Sequence, residues 1–278
     1  MMDLYHKTCS ECSKLITTRY STSFSTGIRV FSKPLRAPIY GIYGFVRFAD
    51  EIVDTFHEFK KADLLEKFRK DTYYAIENRI SLNPVLHAFQ QVVHEYGIDR
   101  EYIDAFLDSM EMDLHFDTYE DALYNKYIYG SAEVVGLMCL RVFCKDDPEQ
   151  FDKLKASAQS LGSAFQKINF LRDMKSDFEE RGRTYFPGID YSNFTNEDKK
   201  MIEADIAKDF QHGYEGILKL PQSARFGVYL AYNYYIKLFA KIKKSNAMVV
   251  KEQRIRVNDG RKMLLLFSSA LKNSMNMI

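Results

Sequence analysis

Tryptophan is absent from the 278 residues, proline occurs only 6 times and glycine 13 times. With so few breakers, long stretches are free to stay helical, and the fold class expected is all-α. Sustained period-2 alternation bounded by turn signals is also missing, so little or no sheet is expected. Cysteine is sparse: Cys9, Cys12, Cys139 and Cys144. Cys9-Ser-Glu-Cys12 is a lone CxxC with no second pair at zinc spacing; His6 offers a third ligand and no fourth is evident. Ordinary reduced thiols on a helix are the reading. No run approaches the roughly 20 apolar residues of a membrane span. The opening Met1-Met2-Asp3-Leu4-Tyr5-His6-Lys7 is too polar for a secretory signal. The location expected is cytoplasmic, with peripheral contact at a membrane left open. Repeats, low-complexity tracts and Gly/Ser linkers are lacking, and a single domain over residues 1–278 is expected. Strong charge of one sign is lacking overall, with a net charge of +1. The balance is uneven, however: from Lys237 onward ten Lys/Arg face two Asp/Glu. A basic tail of this kind suits nucleic acid, anionic lipid or a phosphorylated substrate, or is simply a solvated helix face.

What is present is apolar and aromatic. Apolar residues make up 46% of the chain, with 21 Phe and 19 Tyr. That is enough for a large core, or for a large cavity walled by rings. Helical patterns are read over 3–18, from 33 past 54, and over 61–79, 84–96, 100–116, 119–143, 148–180, 196–218, 224–246 and 259 to the end. A hydroxyl-rich break is expected at Ser21-Thr22-Ser23. Pro34 suits a first helical turn, and Gly182 suits a helix stop.

Two polar stripes carry chemistry. Tyr43, Arg47, Asp50 and Asp54 are spaced by four, three and four, which places them on one helical face. Two carboxylates one turn apart offer the hard oxygen ligands that Mg²⁺ prefers, and Mg²⁺ commonly shares phosphate oxygens. Arg47, one turn away, is placed to clamp the same phosphate. The bland alternative is an amphipathic helix with ordinary i, i+4 charge pairs. The second stripe is Gln166, Asn169, Asp173 and Asp177, spaced by three, four and four. It lies among Leu161, Phe165, Ile168, Phe170 and Leu171. Buried there it needs partners, and a metal ion supplies them. Arg183 and Tyr185 follow in the loop, within reach of a phosphate. Two acidic stripes on long helices, each beside an arginine, suit a metal cluster gripping a diphosphate, in which the metal stabilises the leaving group.

The blocks that carry these residues resemble the squalene/phytoene synthase family. They are Ser23-Phe24, the segment 43–54 (YGFVRFADEIVD), the segment 127–136 (YIYGSAEVVG) and the segment 166–177 (QKINFLRDMKSD) continuing to Pro187. They occur in the family's order and span nearly the whole chain. The second acidic block with its RTYFP ending is specific, whereas a lone DxxxD is not. The resemblance implies an isoprenoid-synthase helical bundle around a central cavity, and head-to-head (1–1′) condensation of two prenyl diphosphates through a cyclopropylcarbinyl diphosphate. It implies Asp50, Asp54, Asp173 and Asp177 as metal ligands with Asn169 in support, and Mg²⁺, or alternatively Mn²⁺, as the cofactor. Arg47, Arg172 and Arg183 would contact diphosphate, with Tyr185 beside them and Ser23 at a small-hydroxyl position nearby. Tyr43 and Tyr129 would line the cavity near the reacting carbons. Arg256 and Arg261 fall in the family's basic C-terminal stretch. One departure is Glu133, where the family often has a small residue; at helical spacing it shares a face with Tyr129.

Within that resemblance the first reading is phytoene synthesis from two geranylgeranyl diphosphates, without a nicotinamide reductant. The second is a C30 dehydrosqualene or squalene synthase using farnesyl diphosphate. A reading of another class is a non-catalytic prenyl-lipid-binding or assembly protein on the same fold. Nucleic acid is not an expected partner. The acidic segment 111–117 is read either as part of the substrate mouth or as a solvated helix end. The run 263–267 is read as a core-packing helix that also helps meet a membrane.

Overall fold

The structure, a computed structural model, describes residues 1–256; the expected final helix from 259, together with Arg261 and the run 263–267, lies outside the described residues. Among the described residues, helices account for all the regular structure, apart from one isolated parallel bridge between Thr118 and Thr184.

The chain opens with α1 (Met2–Tyr20) and α2 (Thr22–Arg29). The expected hydroxyl-rich break shrinks to Ser21 alone. Its extended backbone and its side chain, which accepts from the Phe24 N–H at 3.2 Å, make it the cap that starts α2. A serine N-cap satisfies a donor that the first turn leaves free. Next comes α3 (Lys33–Asp54), with Pro34 in its first turn as expected. α4 (Lys61–Asn78), α5 (Pro84–Tyr96) and α6 (Arg100–His115) follow. The α5 boundaries show why sequence punctuation works. Asn83 caps the Val85 and Leu86 N–H groups, and Gly97 stops the helix in the left-handed region at φ 60°.

The stretch expected as one helix over 119–143 is divided. Tyr119 precedes α7 (Asp121–Ile128), a π-helical turn occupies Tyr129–Glu133, and α8 (Val134–Phe143) continues. A π-turn closes i→i+5 hydrogen bonds and inserts a residue into the helical register. Close packing brackets it. A Cβ on Gly130 would lie 2.3 Å from the Ala105 carbonyl oxygen on α6, and one on Gly162 would lie 2.7 Å from the Ala132 carbonyl oxygen. Only glycine lets the backbones approach this closely.

α9 (Pro148–Arg181) has 34 residues, and so extends about 51 Å at 1.5 Å per residue. Asp147 caps its start, and Gly182, at φ 72°, ends it. α10 (Asn196–Lys219) begins with a Thr195/Asp198 capping box. α11 (Gln222–Lys244) ends two residues before the expected limit, and a short α12 (Ala247–Glu252), capped by Asn246, was not foreseen.

Two apolar clusters hold these helices together. One is centred on α3, α4, α5, α6 and α8, where Phe45 stacks on Phe89 with ring centroids 3.9 Å apart. The other joins the second half of α9 to α10, α11, α12 and the loop after α9. The aromatic composition therefore serves both readings: rings fill these cores and also wall the cavity between them. No helix among the described residues is long and apolar enough to cross a membrane.

Candidate active site

A cavity of about 790 Å³ runs between α2, α3, α6, the α7–α8 wall, α9 and α11. Its body is apolar, with Ile42, Val46, Val135, Leu161 and Phe165 among the lining side chains, and its charge is gathered at one end. α3 contributes Arg47, Asp50 and Asp54, α6 contributes Asp113, and α9 contributes Asn169, Arg172, Asp173, Asp177 and Arg181. Arg183 and Tyr185 come from the loop after α9, and Arg254 from beyond α12.

The two acidic stripes face each other through arginines. Arg181 lies 3.0 Å from Asp177 on its own helix and 3.4 Å from Asp54 on α3. Arg183 Nη1 donates to Asp54 Oδ1 at 3.0 Å, and its Nη2 donates to the Asp113 carbonyl at 2.9 Å. Arg47 Nη1 donates to Asp50 at 2.5 Å and the same guanidinium also holds Glu51. Asp173 is held by Arg172, at 3.1 Å from Nε, and by Arg254 Nε at 2.8 Å. Tyr235 donates to Asn169 Oδ1 at 3.2 Å, which orients that amide.

Asp113 is the buried hub. Tyr127 donates to it at 2.8 Å, Tyr119 and Tyr185 each at 3.2 Å, and Arg183 Nη1 lies 3.5 Å away. The Tyr185 ring stacks on Phe170 with centroids 4.0 Å apart, fixing the loop against α9.

At two of the carboxylates burial outweighs the arginines beside them. Burial, reinforced by Asp54 and opposed by Arg47, pushes Asp50 up to about 7. Burial, reinforced by Asp173 and opposed by Arg181, pushes Asp177 up to about 7. Burial raises the Tyr43 phenol above its ordinary value.

Two observations test whether a divalent cation and a diphosphate fit here. The donors at the mouth are carboxylates and an amide, the hard oxygen set that Mg²⁺ and Mn²⁺ take. Among the described residues no three His, Cys, Asp or Glu side chains form a ready cage. Arg47 Nε is buried without a hydrogen-bond partner, so a donor stands free for an anion. The residues fit both groups.

Ten of the twelve expected site residues line this cavity: Tyr43, Arg47, Asp50, Asp54, Asn169, Arg172, Asp173, Asp177, Arg183 and Tyr185. Ser23 lies in α2, and its side chain is outside what the structure describes. Tyr129 is a correction. It does not line the cavity; its hydroxyl donates to Glu101 at 3.3 Å on the outer side. Tyr127 and Ser131 line the cavity instead. Glu133 also faces away, accepting from Gln159 at 2.9 Å in a second, polar pocket. Arg256 is exposed and outside the cavity lining; its carbonyl accepts from Lys241 at 2.7 Å. Of the two readings of 111–117, Asp113 follows the substrate-mouth one. Arg181, Tyr127 and Arg254 were missed. Arg181 stands four residues after Asp177 and was open to the same spacing argument; Arg254 carries no local signal.

The comparisons agree with this geometry. Residues 17–261 match the model of the family described as squalene/phytoene synthase. A presqualene diphosphate synthase from Rhodopseudomonas palustris is 30% identical over 192 residues, covering 67% of this chain and 66% of that protein. A 15-cis-phytoene synthase from Synechococcus elongatus is 28% identical over 273 residues, covering 87% of this chain and 86% of that protein. A crystal structure of a dehydrosqualene synthase in complex with ligand superposes with a TM-score of 0.83 at 19% identity, over 97% of this chain and 98% of that one. The all-α bundle and the cavity's acidic mouth thus sit on a chain that belongs to the squalene/phytoene synthase family, the prenyltransferases that join two prenyl diphosphates head to head.

Proposed function

We propose that the chain condenses two geranylgeranyl diphosphates, head to head, into the C40 hydrocarbon phytoene through a cyclopropylcarbinyl diphosphate. The observation that carries the reading is the facing of Asp50/Asp54 and Asp173/Asp177 across one end of an apolar cavity. Mg²⁺ (or Mn²⁺), held by these carboxylates with Asn169 in support, supplies the positive charge that makes diphosphate a competent leaving group. Arg47, Arg172 and Arg183 grip the departing oxygens, and Arg181 and Arg254 extend the same clamp. The diphosphate leaves C1 of one substrate with the bonding pair. The C2–C3 double bond of the second substrate attacks that carbon, and loss of a proton closes the cyclopropane. Departure of the second diphosphate, rearrangement and a further proton loss give the triene. No hydride is consumed, so no nicotinamide is required. The apolar walls keep water from the cations, and the Tyr43 phenol and Phe165 ring offer π-faces to positive charge.

The phytoene synthase relative, which matches along 87% of the chain, supports the C40 product. The presqualene diphosphate synthase relative supports a second reading, in which farnesyl diphosphate gives a C30 product or its cyclopropyl precursor. A non-catalytic prenyl-lipid-binding role is disfavoured by four aspartates kept in facing pairs. Peripheral contact with a membrane, where such a product dissolves, belongs to the same proposal, as does a single domain extending to residue 278.

The test is incubation with Mg²⁺ and labelled geranylgeranyl or farnesyl diphosphate, followed by product mass. Turnover of neither, by folded protein, sinks the enzyme reading, and a C30 product alone moves it to the second. Asp50→Ala and Asp173→Ala are expected to abolish turnover with helicity near wild type. Near-normal rates in both would put the metal site elsewhere.

A further inference from the structure

Acidic residues are distributed unevenly along the chain. Residues 12–49 carry six Lys/Arg and no Asp or Glu, and residues 216–251 carry seven and again none. The two stretches thus hold a third of the chain's 39 Lys/Arg and none of its 38 Asp/Glu. The first runs from α1 through α2 into α3, and the second from the end of α10 through α11 into α12. They meet at α2. The Ser32 N–H donates to the Ser223 carbonyl at 3.1 Å, and a Cβ on Gly227 would lie 2.3 Å from the Phe31 ring, so that ring rests on the α11 backbone.

Four of the thirteen cations are engaged inside the fold. Arg36, Arg225 and Lys251 are half-buried and donate to the carbonyls of Phe31, Leu220 and Ser192, and Arg47 stands in the cavity. The other nine are exposed, with Arg19, Arg29 and Lys33 around α2 and Lys219 four residues before Ser223. Among the described residues none of the nine has an ion-pair partner. Elsewhere exposed lysines do pair, as Lys67 with Asp71 and Lys153 with Glu149. Leu15, Tyr20, Phe24, Leu218 and Met248 are exposed among these cations. Cations alone suit any polyanion. Cations interspersed with exposed Leu, Tyr, Phe and Met suit anionic headgroups laid over an apolar interior.

This band adjoins the cavity. Tyr20 and Phe24 line the cavity and are nevertheless 51% and 38% exposed, so the cavity reaches the surface between them. The Arg47 guanidinium lies 4.5 Å over the Tyr20 ring, which places that opening beside the charged mouth.

Resting on the head-to-head reading above for what passes through the opening, we propose that the acid-free band centred on α2 docks on an anionic lipid bilayer, so that the hydrocarbon product leaves past Tyr20 and Phe24 without crossing water. Every methylene released into water is opposed by its transfer cost; a bilayer held against the opening removes it.

The experiment is co-sedimentation of the full chain, without substrate, on phosphatidylcholine vesicles with and without about 30% phosphatidylglycerol. Wild type is expected to bind the anionic vesicles at least about tenfold more tightly than the neutral ones, and to lose most of that advantage between about 50 and 500 mM salt as the charges are screened. Each Lys or Arg near an anionic surface is worth about fivefold. The combined variant Arg19→Glu, Arg29→Glu, Lys33→Glu and Lys219→Glu is therefore expected to bind at least about a hundredfold more weakly. The same four positions changed to Gln guard against a misfolded Glu variant and are expected to lose less. Lys7→Glu, Lys126→Glu, Lys200→Glu and Lys208→Glu, four exposed lysines outside the band, make the same change in net charge and are expected to bind within about fivefold of wild type. With labelled prenyl diphosphate and no detergent, anionic vesicles are expected to speed repeated turnover by wild type and not by the Glu variant of the band, a single turnover being equal in both. Unweakened vesicle binding by the folded band variants, equal loss in the control variant, or preference for duplex DNA over anionic vesicles at the same salt overturns the docking face and leaves the condensation standing. Vesicle binding without turnover by folded wild type overturns the condensation and not the face.

Discussion

Arg183 offers the sharpest test of how the acidic mouth is held. It is buried, with Asp54 at 3.0 Å, the Asp113 carboxylate at 3.5 Å, the Asp113 carbonyl at 2.9 Å and the Tyr185 hydroxyl at 3.3 Å. In Arg183→Met the side-chain stem remains and the cation goes. Asp113, only 3% exposed at its side chain, is left facing Asp54 without a counter-charge. Removing one partner of a buried pair costs about 3–5 kcal/mol. The Asp54 leg is 22% exposed and adds at most about 1 kcal/mol. A loss of about 3–6 kcal/mol overall is expected, or roughly 6–24 °C in Tm at about 2–4 °C per kcal/mol. Thermal melting by circular dichroism at pH 7.5, with urea unfolding alongside, measures it. Arg254→Met is the control. It breaks a contact of 2.8 Å to Asp173, but the arginine is half-exposed, so the loss is within about 1 kcal/mol. Equal Tm values for the two variants, or an Arg183→Met drop below about 2 °C, would refute the claim that burial decides which of these arginines holds the fold.

Three further outcomes follow from the same contacts. Gly130→Ala places a methyl 2.3 Å from the Ala105 carbonyl and 2.7 Å from Ser109 Cβ; it is expected to destabilise by about 1–3 kcal/mol in urea unfolding, as overpacking does. The His6–His87 pair makes stability fall in mild acid. The Ser81 N–H donates to His87 Nδ1 at 3.3 Å, so Nε2 carries the proton that reaches His6 Nδ1 at 2.8 Å. Burial, with His6 beside it, holds His87 below its ordinary 6.5. The stability tied to neutral His87 is therefore complete above pH 6.5 and is lost as pH falls from there towards the lowered folded value. Melting of wild type against His87→Gln between pH 7.5 and 5 isolates this loss, and parallel curves would contradict it. Finally, Mg²⁺ with inorganic pyrophosphate is expected to raise Tm, by about 2.7 kcal/mol of stabilisation at a hundredfold excess over Kd. Asp50→Ala is expected to abolish that rise, as measured by differential scanning fluorimetry.

How much of this was legible in the sequence depends on the range of each interaction. The Asp50/Asp54 and Asn169/Asp173/Asp177 stripes were legible because an uninterrupted α-helix turns spacing into facing, and α3 and α9 are uninterrupted there. At Tyr129 the resemblance, and not spacing, carried the expectation, and that side chain lies outside the cavity lining. The helix there is not α-helical, and what makes it so is tertiary: Gly130 against Ala105 and Gly162 against Ala132. Tyr129 bonds Glu101, while Tyr127, two residues earlier and on the opposite helical face, bonds Asp113. Glu133, which broke the family pattern, went outward with it. The break at Ser21–Ser23 was over-read for a local reason, since hydroxyls that favour loops also favour N-caps.

The long-range pairings were beyond any spacing rule, and they account for how the mouth stays stable. Arg183 reaches Asp54 across 129 residues, and Arg254 reaches Asp173 from beyond α12. Five arginines and five aspartates line the cavity: Arg47, Arg172, Arg181, Arg183 and Arg254 with Asp50, Asp54, Asp113, Asp173 and Asp177. The cluster is therefore close to neutral before any ligand arrives, which is what allows so many charges beside an apolar cavity. Under the function proposed above, a diphosphate with its cations would itself be close to neutral, and the arginines would trade carboxylate for phosphate oxygens as the aspartates took up the cations. Such an exchange would leave no charge newly buried without a partner. Arg47 Nε, buried and without a hydrogen-bond partner, offers one further donor to an anion there. The stripes read from sequence are thus half of the device; the arginines that neutralise them, brought in from distant parts of the chain, are the other half.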